Sequence, residues 1–290
     1  MPHCVFVRRK QMLMAFFCFL EVEDMRIIFV RHGTPDYSTD SLTPVGQREA
    51  EALALRTKDW NIEHVYLSPL GRAQETAQPT IQALGLDESQ VTTYDWLREF
   101  SPRMIDPTTH EEHCLWDLMP EDFTRDPGYM DPDHWFEYGI YKDNPEAETE
   151  CQRVYQGIDD LVAPYGYQRH GKYFDFVDPS GHVNPAEIED IMLHGNKNYE
   201  LRDEDDEKTI LIVCHFGVTC VMLGHLLGIS PVALWHGTSI PPTGVTVLNA
   251  EKRIHNTAHF RMQSLGDTAH LYAAHVPVSG FAAFSPVFQK

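Results

Sequence analysis

Residues 25–33 (MRIIFVRHG) decide the fold. A short run rich in apolar and β-branched side chains stops there at Arg31, His32 and Gly33. This pattern is typical of a buried strand that carries an arginine and a histidine at its C-terminal end. Open α/β sheets have their sites outside the carboxyl ends of the strands. The stretch therefore predicts a strand whose end forms part of a functional site.

Two further apolar runs end in the same way. Residues 64–68 (HVYLS) lead into 69–72 (PLGR), and residues 209–214 (TILIVC) lead into 215–217 (HFG). Three predicted strand ends thus carry two histidines and two arginines. We expect these four side chains to meet at one edge of the sheet. They are Arg31, His32, Arg72 and His215.

The three motifs together resemble those of the histidine phosphatase superfamily, the phosphoglycerate-mutase-like group, and its branch of small phosphatases and mutases in particular. They are RHG at 31–33, SPLGRAQETA at 68–77 and CHFG at 214–217. One such tripeptide recurs by chance, whereas three in order, each after a predicted strand, are specific. The resemblance covers about 25–100 and 209–272 and implies an α/β fold.

Local signals predict the other elements. Thr43 as N-cap and Pro44 at the first helical position begin one helix, and a second follows Ser68 and ends near Gly85. Alternating strands and helices predict a mostly parallel central sheet with helices on both faces. Further helices are predicted at 146–165 and 218–227, strands at 91–94, 244–248 and 259–262, and a hairpin turn at 169–172.

Residues 101 to about 145 lose periodicity and are rich in Pro, Asp, Trp and Tyr. A segment this long without regular elements is usually a lid or a binding element, and its aromatic content argues against disorder. We predict a single domain over 25–290 with a large cap insertion at about 101–208, whose last part, 178–208, is a polar loop.

Residues 1–24 carry a mixed signal. A basic segment at 8–10 (RRK) precedes an apolar run at 12–20 (MLMAFFCFL), as in signal peptides. An acidic segment at 21–24 (EVED) stands in place of a small-residue cleavage site, and the run is too short to span a bilayer. We interpret residues 1–24 as an extension that is not essential, such as an upstream mis-start, with a secretory signal as the alternative.

The resemblance implies a role for each strand-end residue. Phosphoryl transfer needs a nucleophile in line, neutralisation of the phosphoryl oxygens and a proton for the leaving oxygen. His32 is the expected nucleophile, which forms a phosphohistidine. Arg31 and Arg72 offer planar donors for phosphate, and His215, if protonated, adds charge. No metal or other cofactor is expected, because the cations are built in.

The proton donor in this branch is a glutamate within a Leu-x-Glu pattern, which Glu99 matches. Burial under the aromatic cap would raise its pKa, as a proton donor near neutral pH requires. The alternative is a surface glutamate paired with Arg98 or Arg103. Asp106 and Asp95 are the fallback donors.

The chain departs from the family pattern directly after residue 33. The family often has Glu or Gln, then Ser or Thr, and an Asn three positions further on, whereas this chain has Thr34, Pro35 and Ser38. Ser38 and Phe216 are the further candidate phosphate contacts. Pro35 has no backbone N–H to donate, so substrate contacts of the mutase type are not carried over.

Other functions stay open. A metal-dependent hydrolase would use the cluster at 110–114 (HEEHC), which is not H-E-x-x-H and has no helical flanks. A non-catalytic phosphate-binding module is expected to have lost the nucleophile or the acid.

A mutase needs additional cations around the pocket, and the insertion offers mainly Arg103 and Arg125. We therefore favour phosphomonoester hydrolysis, and the many Trp and Tyr residues suggest an apolar or aromatic leaving group, or a sugar stacked on a ring.

Charge and cysteine content limit the expected partners and compartment. The net charge is −20, from 43 acidic and 23 basic residues, so nucleic acid and anionic membranes are not expected partners. The six cysteines form no C-x-x-C pair, which fits reduced cysteines in a cytoplasmic protein. The expected ligand is a small-molecule phosphomonoester. The sequence does not indicate an oligomeric state.

Overall fold

The computed structural model describes residues 25–177, 179, 208–252 and 256–280. Its strands are β1 (Met25–Arg31), β2 (Pro35–Asp36), β3 (Ser41–Leu42), β4 (His64–Leu67), β5 (Val91–Thr93), β6 (Arg103–Ile105), β7 (Glu112–Cys114), β8 (Tyr167–His170), β9 (Tyr173–Phe176), β10 (Lys208–Cys214), β11 (Val245–Lys252) and β12 (Thr257–Asp267). Its helices are α1 (Pro44–Thr57), α2 (Gly71–Leu84), α3 (Pro120–Phe123), α4 (Ala147–Val162), α5 (Phe216–Leu227), α6 (Pro231–Gly237) and α7 (Ala269–Ala273).

Eight of these strands form a central mixed sheet in the order β5-β4-β10-β1-β11-β12-β9-β8. The first four strands are parallel to one another, and the strands from β11 onward pair in antiparallel fashion. The predicted α/β fold is confirmed, and the predicted strands and the hairpin at 169–172 are present. Strand β1 lies between β10 and β11, so both of its neighbours come from the last third of the sequence.

Both faces of β1 are covered, which explains why it reads as an almost continuous apolar run. Ile28 and Val30 pack in the cluster beneath α1 and α2. Ile27 and Phe29 pack on the opposite face, in the larger cluster that includes residues of α4 and α5. This confirms helices on both faces of the sheet. No helix of the described residues has the length and apolarity to cross a bilayer.

The described part of the predicted insertion is built onto the core. Fully buried Trp135 lies between Phe100, Tyr141 and Trp235, with ring centroids 5.1–6.4 Å apart. Helix α4 packs against α5, and the β8–β9 hairpin continues the central sheet. The role of the insertion as a cap stays a prediction. The predicted polar loop at 178–208 lies almost wholly outside the described residues, as does the predicted extension at 1–24.

Candidate active site

The ends of β1, β10 and β4 bring the predicted side chains together. Arg31 and Cys214 are paired in the sheet, so His32 and His215 follow at the same edge. Their imidazole rings lie 5.1 Å apart, centroid to centroid, at 54°. Arg72 lies in the first turn of α2, which begins just after β4. The parallel pairing thus places the four strand-end residues at one edge.

His32 is held in one tautomer. It is buried, with 2% of its surface exposed, and its Nδ1 lies 2.7 Å from the carbonyl oxygen of Gly33. Because a carbonyl only accepts, Nδ1 carries the proton and Nε2 keeps its lone pair. Burial, followed by the nearby Arg31 and Arg72, lowers the pKa of His32 to about 3. The imidazole is therefore neutral and nucleophilic at physiological pH.

Arg31 and Arg72 form the cationic part of the site. Arg31 donates to the carbonyl of Ile240 at 2.7 Å, and Arg72 is paired with the carboxylate of Asp40. The Nε atoms of both arginines are buried and have no hydrogen-bond partner among the described residues. Buried donors rarely stay unpaired. A bound oxyanion that contacts both guanidinium groups would satisfy them.

His215 completes the group from β10. It is fully buried, and its Nε2 lies 2.6 Å from the hydroxyl oxygen of Ser68. Burial, together with His32, Arg72 and Arg31, lowers its pKa well below 6.5. His215 is therefore favoured in its neutral form, whereas the charge considered for it from the sequence required a protonated ring. A phosphate dianion would stabilise the charged form.

Glu99 points at the first turn of α5. Its Oε1 accepts hydrogen bonds from the backbone N–H groups of Phe100 at 2.8 Å and Val218 at 2.9 Å. Burial raises the pKa of Glu99 despite these hydrogen bonds. Arg98 is paired with Asp95 and Glu150, and Arg103 with Glu112. Glu99 is thus not the partner of either arginine.

The two fallback donors lie in less suitable places. The buried Asp106 accepts backbone hydrogen bonds from Thr108, Thr109 and Met119. Burial raises the pKa of Asp106, but these hydrogen bonds outweigh it and the net shift is downward. Asp95 is largely exposed and pairs with Arg98. Glu99, unlike Asp106, thus has a pKa whose net shift is upward.

The remaining predicted contacts differ in placement. Ser38 is exposed, and its hydroxyl donates to Asp36 at 2.6 Å, so nothing in the structure supports its phosphate contact. Phe216 is the first residue of α5, and its ring lies edge-on to Trp116 and 5.7 Å from the Arg31 guanidinium. In the 110–114 segment, Glu112 pairs with Arg103. The described residues contain no group of three or more His, Cys, Asp or Glu side chains that could hold a metal ion.

Two buried residues hold the loop after His32 and were missed from the sequence. Glu49 of α1 accepts two hydrogen bonds from Thr34, one from the backbone N–H of Thr34 at 2.7 Å and one from its side-chain hydroxyl at 3.0 Å. The Thr76 hydroxyl oxygen accepts from the Gly33 N–H at 2.9 Å. Thr76 belongs to the 68–77 motif, and Glu49 stands beside the apolar inner face of α1. Membership of the motif could have identified Thr76, and a carboxylate next to an apolar helix face could have identified Glu49.

The loop between β2 and β3 returns over Arg72 and was also missed. Asp40 pairs with Arg72 and accepts the backbone N–H of Gly71 at 2.7 Å. The ring of Tyr37 lies 5.3 Å from the Arg72 guanidinium. Asp40 has a φ of 52°, a left-handed conformation that aspartate adopts more readily than most residues. No local pattern in the sequence predicts this contact with Arg72.

Comparison with known families agrees with this geometry. The sequence model of the histidine phosphatase superfamily (branch 1) matches residues 27–166 and 195–261, which is most of the chain. The chain belongs to this superfamily. The matched residues include every strand-end residue of the site, as well as Glu99.

Individual relatives in the superfamily are distant. A probable phosphoglycerate mutase of Yersinia enterocolitica is 34% identical over 102 residues, which cover 30% of this chain and 46% of that protein. The Escherichia coli counterpart is 31% identical over the same length. The chain thus matches about half the length of these curated relatives. A phosphoserine phosphatase variant from Entamoeba histolytica, solved with phosphoserine, has a TM-score of 0.50 at 21% identity and covers 85% of this chain and 99% of its own. This likeness supports the fold.

The lowered pKa of His32 predicts a pH-dependent stability. Unfolded histidine has a pKa of about 6.5, and native His32 has one of about 3. Between these values the unfolded chain binds the proton and the native chain does not, so the free energy of unfolding falls as the pH falls. Urea denaturation at pH 7.5 and 4.5 should show that wild type loses on the order of 2 kcal/mol more than His32→Asn. Equal losses in both proteins would contradict the assigned pKa.

Proposed function

We propose that this protein hydrolyses phosphomonoesters through a phosphohistidine on His32, with Glu99 as proton donor. The observation that carries the proposal is the 2.7 Å contact between His32 Nδ1 and the Gly33 carbonyl. It leaves Nε2 unprotonated beside two arginines and a second histidine. A positioned neutral nucleophile next to fixed cations is what phosphoryl transfer requires.

The first step breaks the bond between phosphorus and the ester oxygen. His32 Nε2 attacks phosphorus with its lone pair, and the leaving oxygen departs with the electron pair of the broken bond. Glu99 gives its proton to that oxygen, and an alcohol leaves. Arg31, Arg72 and His215 stabilise the negative charge on the phosphoryl oxygens. The products are phosphohistidine and a Glu99 carboxylate.

The second step regenerates the site. A water molecule attacks phosphorus while the Glu99 carboxylate takes one of its protons. The P–N bond breaks, its electron pair returns to His32 Nε2, and inorganic phosphate leaves. The hydrogen bond to the Gly33 carbonyl holds the ring in the same tautomer throughout.

The side chains around the site support an apolar or aromatic leaving group. Tyr37 lies against Arg72, and Trp116 lies edge-on to Phe216, with ring centroids 5.8 Å apart. Aromatic faces of this kind offer large apolar contact with oriented edges. A panel of aryl, alkyl and carboxylated phosphates would test this, and a preference for phosphoglycerates would contradict it.

Phosphoglycerate mutase activity is the second candidate, favoured by the names of the relatives with partial matches. A mutase must bind the substrate carboxylate as well as its phosphate. Arg103 and Arg125, the main cations of the described part of the insertion, are paired with Glu112 and Asp122. Both arginines are about half exposed, so water and salt screen their attraction for a carboxylate, which supports hydrolysis over mutase activity.

The deciding experiment assays the full chain on p-nitrophenyl phosphate with excess EDTA. We expect turnover that the chelator does not change, and an acid-labile, alkali-stable phosphoryl group on the His32 peptide after rapid quenching. Loss of activity in EDTA with recovery on adding Mg²⁺ would place the protein among metal-dependent hydrolases. Isomerisation of 3-phosphoglycerate without hydrolysis would identify a mutase, and phosphate binding without turnover a binding module.

A further inference from the structure

The hydroxyl group of Ser68 lies directly behind His215. Ser68 follows β4 and is fully buried. Its backbone N–H donates to the carbonyl of Val213 at 3.0 Å, which fixes the residue against β10. Its Oγ lies 2.6 Å from His215 Nε2. The contact is short and held by the sheet itself.

A count of hydrogens decides the direction of this hydrogen bond. A hydroxyl has one hydrogen and two lone pairs. The N–H of Leu70 donates to Ser68 Oγ at 3.3 Å and occupies one lone pair. His215 Nε2 is the remaining contact of Oγ within the residues that the structure describes. If Nε2 donated instead, the buried hydroxyl hydrogen would have no acceptor there, and buried polar groups rarely stay unpaired.

We propose that Ser68 donates to His215 Nε2, fixes the proton of His215 on Nδ1, and so makes neutral His215 a hydrogen-bond donor to the transferring phosphoryl group. His215 Nδ1 is buried and has no partner among the described groups, and its ring lies 5.1 Å from that of His32. The inference rests on the proposed function, because the phosphoryl group is the acceptor proposed for Nδ1.

Ser68 thereby acts as a positioning residue. Neutral imidazole can carry its proton on either nitrogen. With the proton on Nε2, the Nδ1 lone pair would face phosphoryl oxygens and repel them. With the proton on Nδ1, the same ring donates a hydrogen bond that strengthens as negative charge builds up on those oxygens. The hydroxyl selects the second arrangement without the need for a charged His215.

The test reads the tautomer directly. Two-bond ¹H–¹⁵N correlation spectra of the resting, ¹⁵N-histidine-labelled chain distinguish Nδ1–H from Nε2–H, and a His215→Gln variant identifies the resonances. We expect Nδ1–H in wild type and a shift toward Nε2–H in Ser68→Ala. Because one transition-state donor is lost, kcat should fall about 100-fold with little change in KM. Ser68→Thr, which keeps the hydroxyl, should restore the Nδ1–H signal.

Ser230→Ala is the matched control. Ser230 is also buried, accepts the Val232 N–H at 3.2 Å and donates to the Tyr129 carbonyl at 2.5 Å. Its loss should lower stability and leave both the His215 tautomer and kcat unchanged. Nε2–H in wild type, or Nδ1–H retained in Ser68→Ala, would overturn the inference. The expected spectra in a wild type without phosphatase activity would support the tautomer and overturn the proposed function instead.

Discussion

Replacing His32 by asparagine is expected to lower kcat on p-nitrophenyl phosphate by about 10⁴-fold or more. Nucleophile replacements in covalent catalysis typically cost this much, because the remaining groups have no covalent intermediate to stabilise. Asparagine can still donate a hydrogen bond within the site, so the loss should come from the chemistry rather than from unfolding. Steady-state kinetics and a urea denaturation curve on the same preparation separate the two causes.

His64→Asn is the matched control for this variant. His64 begins β4, is only partly buried, and its Nε2 lies 2.8 Å from the Thr92 hydroxyl, outside the site. Its kcat should stay within about twofold of wild type, as expected for a substitution away from the chemistry. Activity of His32→Asn above a few per cent of wild type, with no phosphoryl group on the protein, would remove His32 as the nucleophile.

Glu99→Gln should cost about 10²- to 10⁴-fold in kcat on an alkyl phosphate. The loss should be much smaller in the first turnover of p-nitrophenyl phosphate, because nitrophenolate leaves without a proton. Phosphohistidine should then accumulate, since the variant also lacks the base for the attacking water. Rapid-mixing experiments would detect a burst of nitrophenol followed by slow turnover.

The pH profile gives an independent check on Glu99. A proton donor must be protonated, and burial raises the pKa of Glu99 above its usual range, so kcat should decline as the pH rises through that pKa. The decline should vanish in Glu99→Gln and persist in Glu112→Gln, whose carboxylate pairs with Arg103. Equal losses on alkyl and aryl phosphates would argue for a purely structural role.

Local pattern made the strand-end residues predictable. Arg31, His32 and His215 each follow a short apolar, β-branched run that predicts a buried strand, and parallel pairing then brings the ends together. The resemblance added Glu99. Its position against the first turn of α5 joins two distant segments and could not be predicted from local pattern. The antiparallel half of the sheet was less predictable. Its strands were predicted one by one, but which strands pair depends on distant segments.

Contacts that a loop makes by folding back onto a distant helix were not predictable. Asp40 and Tyr37 reach Arg72 because a short hairpin turns back, with Asp40 at a positive φ. Residues 36–40 contain local turn signals, and the Ser38 N–H donates to Asp36 at 2.9 Å, but the contact of this turn with Arg72 depends on where α2 begins. The sequence left the protonation state of His215 open for a related reason. Its pKa depends on complete burial beside His32 and two arginines, which is a property of the assembled core.

The position of β1 between β10 and β11 also determines when, during synthesis of the chain, this strand can pair. A ribosome adds about 5–20 residues per second, so His32 emerges on the order of tens of seconds before the partners of its strand at 208–214 and 245–249. During that time both edges of an apolar strand stay unpaired, which is the condition that invites aggregation. Strand β1 can therefore take its place in the sheet only after both of its neighbours have been synthesised, so His32 cannot reach its position in the site before residue 249 has been made.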